Sequence, residues 1–454
     1  MGRKVKVVLI GAGSVSFGRG TIADLVASER LRDAKLSIAL VDINPRALKT
    51  MHALSRILKK HYRSEATVSA TTDRREALSG AEFVITSIAL KRGALWEQDY
   101  RVPLAYGFRQ IYGENGGPGA AFHALRSIHL TMPICRDMEE LCPEALLINF
   151  TNPESRVCLA VERLSRVRSV GLCHGAFGTW ETVADVLGMP RDDVLMTIGG
   201  INHFHWVLGL REAKTGKDLM RAFNRKMKTY KNIEPLTRAM YDVFGYLPFP
   251  AASHIGEYVQ WAHELVSLFW PLGREGKKVP AGAIRPPEFG PEEPEREQED
   301  AYFDWLSAHG RAVQDAVKKG LPLSAEMAAQ SGELAVPIIE DIVFDLRRRE
   351  VSVNVPNAGA IPNLPQDAIV EVPAVCDAGG VHGEQVGPLP EPIAAMCRTQ
   401  IAIQELIVEA YRRRSREVLL QALVLDPVVD SVGGARQMME KLLEVQGEFL
   451  PELK

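Results

Sequence analysis

A short β-branched run that ends in two closely spaced glycines opens the chain and restricts its fold. Residues 4–10 have the composition of a buried parallel strand. Gly11, Gly13 and Ser14 follow directly, and a helical pattern comes next. A strand, a glycine-rich turn and a helix in this order suit a pyrophosphate, which would lie against the helix N-terminus. Ser16 replaces the third glycine of the usual fingerprint, so the match to that fingerprint is partial.

Similar strands alternate with helical patterns through the first half of the chain. They are Leu36–Val41, Glu82–Ile88, Ala145–Asn149 and Arg168–Cys173. This alternation predicts an α/β fold, in which a Rossmann-like doubly wound parallel sheet carries a nucleotide site at the carboxyl ends of its strands.

Asp42 stands at the end of the second predicted strand and bears on the type of dinucleotide. A carboxylate there accepts hydrogen bonds from the ribose hydroxyls and repels the 2′-phosphate of NADP, so we predict NAD. Arg46 keeps NADP open as an alternative, and a helix cap before Pro45 is the structural alternative for Asp42. The predicted cofactor-binding residues are Gly11, Gly13, Ser14, Ser16 and Asp42.

The rhythm of strands and helices changes near residue 195. Asn354–Val375 is an extended segment punctuated by Pro and Asn, and helical patterns dominate residues 213–270, 301–345 and 391–454. We predict an NAD-binding domain over residues 1–195 and a larger, mostly helical domain for catalysis, substrate binding and oligomerisation over residues 196–454. The overall architecture should be lactate/malate dehydrogenase-like. The Pro- and Glu-rich segment Gly282–Asp300 is either an exposed lid or a solvated linker.

Charge and composition argue against nucleic acid and membranes as partners of this chain. The chain has 454 residues with a formal net charge of −3, which does not favour nucleic acid or a membrane surface as a partner. No apolar run approaches the roughly 18 residues of a membrane span. The six cysteines follow no disulfide spacing and are expected to be reduced. These features predict a soluble cytoplasmic protein.

Two polar segments border glycine-rich turns downstream of the nucleotide fold. Cys173 and His174 follow a predicted strand, and His203 and His205 stand two residues apart, so that both rings would face the same way on a strand. A thiolate and an imidazole together bind Zn, Fe, Mn or Co, and the softness of the ligands does not choose among these metals. Each residue alone would more often be structural.

Further along, single polar residues suit a sugar site. Asn152 lies just after a predicted strand, where an amide donates and accepts hydrogen bonds to hydroxyl groups; the alternative is a simple Asn-Pro turn. Tyr258 comes four residues after His254, which places both on one helix face. A tyrosine near a metal could act as a base, although an isolated tyrosine is more often part of the core.

Distinct motifs follow one another along nearly the whole chain. They are GAGSVSFG, VDINP, GGPGAAFHALR, NFTNP, CHG, GINHFHW, HIGEY and NVPNAGAIPNLP followed by VEVPAV. Taken in this order, they resemble glycoside hydrolase family 4, the NAD- and metal-dependent glycosidases. The most specific parts of the resemblance are NVPNAGAIPNLP and the Cys-His and Asn-His pairs.

The resemblance implies a role for each candidate residue. Cys173 and His203 would hold the metal, usually Mn²⁺, Asn152 would contact the sugar, and Tyr258 would be the catalytic base. His174 stands where some members carry the acidic residue taken as the general acid, so it becomes the candidate acid here. The implied chemistry is NAD-dependent oxidation at carbon 3 of the sugar, metal-assisted elimination and addition of water. The base role needs a tyrosine pKa lowered by the neighbouring metal.

The resemblance also bears on the substrate and the assembly. Members that act on 6-phosphosugars tend to carry Asp or Asn after the metal cysteine, whereas this chain has His174 and Gly175. That pattern is most like the α-galacturonidases and α-glucuronidases, with α-galactosidases as a further alternative. We therefore expect α-glycosides of an unphosphorylated sugar, chiefly α-galacturonides, and a homodimer or homotetramer. A uronate carboxylate needs a cationic partner, for which the candidates are Lys91, Arg92, Arg126 and Arg285.

Two other classes of function share part of this pattern. An NAD-dependent 2-hydroxyacid dehydrogenase would have the glycine turn and Asp42, but it would not need Cys173 beside His203. A non-catalytic NAD-binding regulator would leave the polar motifs without a purpose. Net production of NADH from a hydroxyacid would favour the first, and NAD binding without turnover of any glycoside would favour the second.

Overall fold

The first half of the chain forms a parallel sheet with the strand order of a dinucleotide-binding fold. The computed structural model describes residues 3–14, 17–266, 308, 310–320 and 323–454. The first six strands pair in parallel in the order β3-β2-β1-β4-β5-β6. This order opens a crevice between β1 and β4 at the carboxyl ends of the strands. The strands are β1 Lys4–Ile10, β2 Lys35–Val41, β3 Thr67–Thr71, β4 Phe83–Thr86, β5 Leu146–Asn149 and β6 Arg168–Gly171.

Helices connect these strands and confirm the predicted Rossmann-like α/β class. Successive residues of β1 belong to two separate apolar clusters, Val7 and Leu9 to one and Val8 and Ile10 to the other. Both faces of the strand are therefore covered, as a doubly wound sheet requires. The helices are α1 Phe17–Ala27, α2 Glu29–Arg32, α3 Pro45–Tyr62, α4 Arg74–Leu78, α5 Arg92–Ala105, α6 Gly117–Leu141, α7 Glu154–Leu164 and α8 Gly175–Leu187, followed by the 3₁₀ turn Arg191–Asp193.

The second half adds strands to the same sheet. Among the described residues, five further strands extend it in the order β6-β9-β10-β7-β8, with antiparallel pairing throughout and β11 beside β10. Of this region, the sequence pattern predicts only the extended segment Asn354–Val375. The strands are β7 Val194–Ile201, β8 Phe204–Glu212, β9 Arg348–Pro356, β10 Ile369–Asp377 and β11 Gly380–Gly383.

Helices pack around this extension as the sequence predicted for most of the second half. Short 3₁₀ turns cover Gly256–Tyr258, Ala262–Glu264 and Gly447–Phe449. The helices are Met220–Met227, Pro235–Phe244, Ala252–Ile255, Ala325–Ala328, Ala335–Phe344, Glu391–Arg413, Arg416–Leu425 and Val432–Gln446.

The shared sheet affects the predicted domain boundary. Residue 195 lies inside β7, and β6 pairs with β9 at Gly171 and Asn354, so the sheet runs across the division. The division into residues 1–195 and 196–454 stays a prediction. The proposed lid Gly282–Asp300, Arg285 and Ser16 lie outside the described residues.

Two simpler expectations concern covalent state and membranes. All six cysteines are free thiols, as expected for a chain without a disulfide framework. In the described part of the chain, no helix has the length and the apolar composition needed to cross a lipid bilayer.

Candidate active site

A long cleft follows the carboxyl ends of the parallel strands. Its volume is about 670 Å³, which lies within the usual range for small-molecule sites. Gly11 and Asp42 line one end, and Cys173 and His174 line the other. Asn152 lies on the wall between them. The fold therefore brings the glycine turn, Asp42, Asn152, Cys173 and His174 into one cavity, whereas His203 and Tyr258 are buried and are not among its lining residues.

The glycine turn after β1 has no room for side chains. Gly11 has a φ of +90°, and a Cβ atom there would lie 2.0 Å from the carbonyl oxygen of Ser87. A Cβ at Gly13 would lie 2.6 Å from Oδ2 of Asp42. Ser14 Oγ accepts a hydrogen bond from the backbone N–H of Phe17 and so caps α1. The turn thus leaves its backbone open to the cleft at the N-terminus of a helix.

Asp42 follows β2 and faces this turn. Its carboxylate accepts hydrogen bonds from the backbone N–H groups of Gly13 and Asn44, at 2.7 and 2.8 Å. The N-cap of α3 is Asn44, whose side chain accepts from the N–H groups of Arg46 and Ala47, so the helix-cap alternative for Asp42 is wrong. Arg46 is exposed on the first turn of α3.

Cys173 and His203 meet at the other end of the cleft. The Cys173 Sγ atom lies 2.9 Å from Nε2 of His203, although β7 separates the two residues in the chain. Burial, followed by the charge of His254, lowers the pKa of His203 to about 3, so its ring is neutral as a metal ligand requires. Burial, followed by Glu371, raises the pKa of the Cys173 thiol above its ordinary value.

His203 lies in the turn before β8, whereas His205 lies within that strand. The prediction that both rings project from one strand face is therefore wrong. Inside β8, Nδ1 of His205 lies 2.9 Å from Glu371 and Nε2 lies 2.8 Å from the hydroxyl of Thr179. His205 thus binds two buried partners, Glu371 on β10 and Thr179 on α8.

Tyr258 is buried directly behind the His203 turn. Its hydroxyl accepts a hydrogen bond from the His203 backbone N–H at 3.0 Å and donates one to the Asn202 carbonyl at 3.2 Å. In the protein without a bound metal ion, burial and, to a smaller extent, the charge of Glu257 raise the pKa of Tyr258 well above its ordinary value. His254 and Tyr258 do not share a helix face, because the helix ends at Ile255. Nevertheless the His254 ring stacks on His203, with centroids 4.8 Å apart.

Glu257 fixes the segment that carries Tyr258. Its carboxylate accepts hydrogen bonds from the backbone N–H groups of Glu114 and Asn115, at 2.6 and 2.9 Å. These groups stand just before α6, so the segment around Tyr258 is tied to the start of that helix. Burial raises the pKa of Glu257 to about 8.

His174 begins α8 at the rim of the cleft. Its Nδ1 lies 3.4 Å from Oε1 of Glu333, and its ring packs on Phe177 with centroids 5.0 Å apart. More than half of its side chain surface is exposed. The hydrogen bond from His174 to Glu333 raises the pKa of the imidazole, which favours its protonated, proton-donating form.

Asn152 lines the cleft beside Glu114, a carboxylate that the sequence pattern does not mark. Its side-chain amide donates to Oε1 of Glu114 at 3.3 Å, and the same oxygen lies 3.2 Å from the Arg92 guanidinium. Burial alone would raise the pKa of Glu114, but Arg92 and His123 outweigh it and the pKa is lowered. Glu114 stands between two glycine turns, with no local pattern to mark it.

The structure separates the cations considered for a substrate carboxylate. Arg126 is buried and bound to Asp99, with NH1 2.9 Å from Oδ1, so it is committed to the interior. Lys91 pairs with Glu448 at 3.4 Å and is largely exposed. Arg92 lines the cleft itself, and its side chain is about half exposed.

Glu371 is a second carboxylate near the site that was not among the predicted site residues. It is wholly buried in β10, near Cys173, Asn202 and His205. Burial alone would raise its pKa, but His205 outweighs this effect and the pKa is lowered. One signal was present in the sequence, since a glutamate flanked by apolar residues in Ile-Val-Glu-Val-Pro is unusual in a buried strand.

Comparison with known proteins identifies the family. The model for "Family 4 glycosyl hydrolase" matches residues 6–189, and the model for its C-terminal domain matches residues 198–429. An α-glucosidase from Erwinia rhapontici is 33% identical, with 99% of each chain covered. An α-galactosidase from Bacillus subtilis (strain 168) is 29% identical over 99% of this chain and 100% of its own length.

Solved structures of similar proteins share the whole fold. One is a 6-phospho-α-glucosidase from gut microorganisms in complex with NAD and Mn²⁺, with a TM-score of 0.81, 22% identity and complete coverage of both chains. Another is the 6-phospho-β-glucosidase from Thermotoga maritima with manganese, NAD⁺ and glucose-6-phosphate, with a TM-score of 0.75 and 21% identity over 99% of this chain and 100% of that chain. From the two family models and the relative that matches it over nearly its full length, the chain belongs to glycosyl hydrolase family 4.

Proposed function

We propose that this glycoside hydrolase uses NAD⁺ and Mn²⁺ in one cleft to cleave α-glycosides of an unphosphorylated sugar, with α-galacturonides as substrate. The observation that carries the proposal is the cleft itself. It joins the glycine turn and Asp42 at one end to Cys173 at the other, where the sulfur meets His203.

The cofactor end fits a dinucleotide. A Cβ at Gly11 or Gly13 would fill the turn, so the backbone is kept bare where a pyrophosphate would approach. Asp42 has an acceptor carboxylate at the end of β2, which suits a ribose diol and disfavours a 2′-phosphate. The turn suits the pyrophosphate of either dinucleotide, and Asp42 favours NAD⁺ over NADP⁺.

The other end fits a borderline divalent metal. The sulfur of Cys173 and the neutral imidazole of His203 converge, and this pair suits Mn²⁺ as well as Zn²⁺, Fe²⁺ or Co²⁺. In the residues that the structure describes, no group of three or more His, Cys, Asp or Glu side chains could hold an ion. The protein would therefore supply few ligands and leave positions for water and substrate oxygens, as catalytic metal sites do.

When bound, NAD⁺ accepts and returns a hydride, and the metal ion acts as a Lewis acid on substrate oxygens. The chain's own residues position the sugar and move its protons. Asn152 and Glu114 offer a donor and acceptors to hydroxyl groups on the cleft wall. Tyr258 removes a proton from carbon 2 of the sugar, and His174 donates one to the leaving oxygen. A cation held by Cys173 and His203 would oppose the burial that raises the pKa of Tyr258.

The substrate proposal rests on the sequence after Cys173 and on one cation. Arg92 lies in the cleft near Asn152 and presents a guanidinium that suits a uronate carboxylate. The names of the α-glucosidase and α-galactosidase relatives support an unphosphorylated α-glycoside as the broader class.

The test is hydrolysis of an α-1,4-linked digalacturonide with NAD⁺, Mn²⁺ and a reductant in deuterated water. We expect release of galacturonate, deuterium at carbon 2 and no net NADH. Cleavage only of α-glucuronides, α-galactosides or α-glucosides in a parallel panel would overturn the galacturonide assignment and keep the mechanism. Cleavage only of 6-phosphorylated substrates would contradict the unphosphorylated class. Accumulation of NADH from a hydroxyacid, with no glycoside cleaved, would support a dehydrogenase instead.

A further inference from the structure

Glu371 is a buried carboxylate to which the proposed reaction gives no part. It lies within β10 with no exposed surface, and its backbone pairs with Gly200 of β7. Burying a carboxylate is costly unless other groups compensate for its lost hydration. Its position in the fold therefore requires an explanation.

Three side chains hydrogen-bond this carboxylate. Ser352 Oγ donates to Oε1 at 2.8 Å, the Asn202 amide donates to Oε2 at 3.5 Å, and Nδ1 of His205 lies 2.9 Å from the same Oε2. A carboxyl group surrounded by donors acts as an acceptor on both oxygens, which is the property of the ionised form. Glu371 is thus a fixed negative charge inside the sheet.

Asn202 connects this charge to the Cys173–His203 pair. It directly precedes His203 in the chain, its side-chain amide lies 3.5 Å from Glu371, and its backbone carbonyl accepts a hydrogen bond from the Tyr258 hydroxyl. Cys173 meets the same turn, because its sulfur lies 2.9 Å from Nε2 of His203. One amide therefore links the carboxylate to the turn that carries His203.

We propose that Glu371 is a positioning residue for the metal site. Its carboxylate supplies a second negative charge near Cys173 and His203, and it holds the turn that contains Asn202. This inference rests on the proposed function, because it requires a divalent cation at that pair. A cation of charge +2 beside one thiolate leaves a net positive charge in a buried site. A nearby carboxylate that is not itself a ligand offsets that charge and orients the ligands.

The test is the affinity of the purified protein for Mn²⁺, measured from the electron paramagnetic resonance signal of free Mn²⁺ during a titration. Glu371→Gln removes the charge and keeps the shape, and we expect Mn²⁺ to bind about 10- to 100-fold more weakly. The affinity for NAD⁺, measured in the same samples, should stay within about twofold of the parent value. General damage to the fold would instead weaken the binding of NAD⁺ as well.

Glu350→Gln is the matched control. Glu350 is a buried glutamate on the neighbouring strand β9, and its carboxyl group interacts with Asp341 and Arg348. We expect this variant to bind Mn²⁺ as the parent does. An equal loss of Mn²⁺ affinity in both variants, or no loss in Glu371→Gln, would overturn the inference.

A second variant covers the case in which Glu371→Gln does not fold. The double variant His205→Gln with Glu371→Gln replaces the buried pair by two amides that hydrogen-bond each other, and it should show the same weakened Mn²⁺ binding. Cys173→Ser separates the two levels of argument. If Cys173→Ser loses Mn²⁺ affinity and neither Glu371 variant does, only this inference fails. If the parent does not bind Mn²⁺, or Cys173→Ser binds it equally well, the proposed metal site fails as well.

Discussion

The sulfur of Cys173 lies 2.9 Å from Nε2 of His203, across 30 residues of chain. The turn after β6 carries the first residue and the turn between β7 and β8 carries the second, so the contact depends on how the antiparallel half of the sheet joins the parallel half. Tyr258 stabilises the turn that carries His203, by its hydrogen bonds with the His203 N–H and the Asn202 carbonyl.

Loss of the thiol should release the metal. A hydroxyl is a poor replacement for a thiolate ligand, so we expect Cys173→Ser to bind Mn²⁺ at least about 100-fold more weakly than the parent protein. The affinity for NAD⁺ should change little, because the glycine turn is at the other end of the cleft. A Mn²⁺ titration measures the effect. Cys397→Ser, in the buried face of the helix Glu391–Arg413, is the control and should keep the parent affinity.

Loss of the Tyr258 hydroxyl should slow the reaction and also weaken the fold. If Tyr258 is the base, Tyr258→Phe should lower kcat by about 10²- to 10⁴-fold and reduce deuterium uptake at carbon 2 in parallel. The variant also leaves the buried His203 N–H without its partner, which should cost about 1–3 kcal/mol of unfolding free energy. Tyr241→Phe, which loses a hydroxyl bonded to Asn224, is the control for activity. Full activity of Tyr258→Phe would refute the base role.

The sequence predicted the parts of this site that depend on neighbours in the chain. Gly11, Gly13 and Asp42 follow strands that are themselves visible as apolar runs, so the crevice could be placed before the structure was known. The family resemblance supplied Cys173 and His203 as a pair.

Contacts between distant strands could not be predicted in the same way. Glu371 meets His205 because Gly200 of β7 pairs with Glu371 of β10 on one side and with His205 of β8 on the other. Nothing local in these strands specifies that register. β7 and β8 contain three glycines, two of them consecutive, so their pattern did not stand out as a pair of strands. Glu114 was missed for a related reason, since Asn152 and Arg92 approach it from other elements.

The charge of Glu333 should be visible in the pH dependence of the reaction. A general acid must be protonated, so activity falls as the pH rises through the pKa of His174. Glu333 raises the pKa of His174 mainly by its hydrogen bond and also by its charge. Glu181 raises this pKa and Arg191 lowers it, both by charge alone. Glu333→Gln should therefore move the basic limb of the kcat profile to lower pH.

Two further variants complete the test of His174. Glu181→Gln is the control for surface charge and should cause a smaller shift of the same sign. His174→Ala should lose about 10²-fold or more on natural glycosides and clearly less on aryl glycosides with good leaving groups. Equal losses on both substrate types, or an unmoved basic limb in Glu333→Gln, would show that another group is the acid.

Arg92 should determine how strongly the cleft prefers a uronate. A hydrogen bond to a charged group contributes about 1.5–3 kcal/mol, so Arg92→Gln should lower kcat/KM for an α-galacturonide by about 10- to 100-fold. The same substitution should change kcat/KM for the matching α-galactoside much less, because that sugar has no carboxylate. Lys91→Gln is the matched control, because the Lys91 side chain pairs with Glu448. This variant should keep the parent protein's preference for a uronate. If Arg92→Gln lowers kcat/KM for both sugars equally, Arg92 serves the cleft through its pairing with Glu114 and another cation must meet the carboxylate.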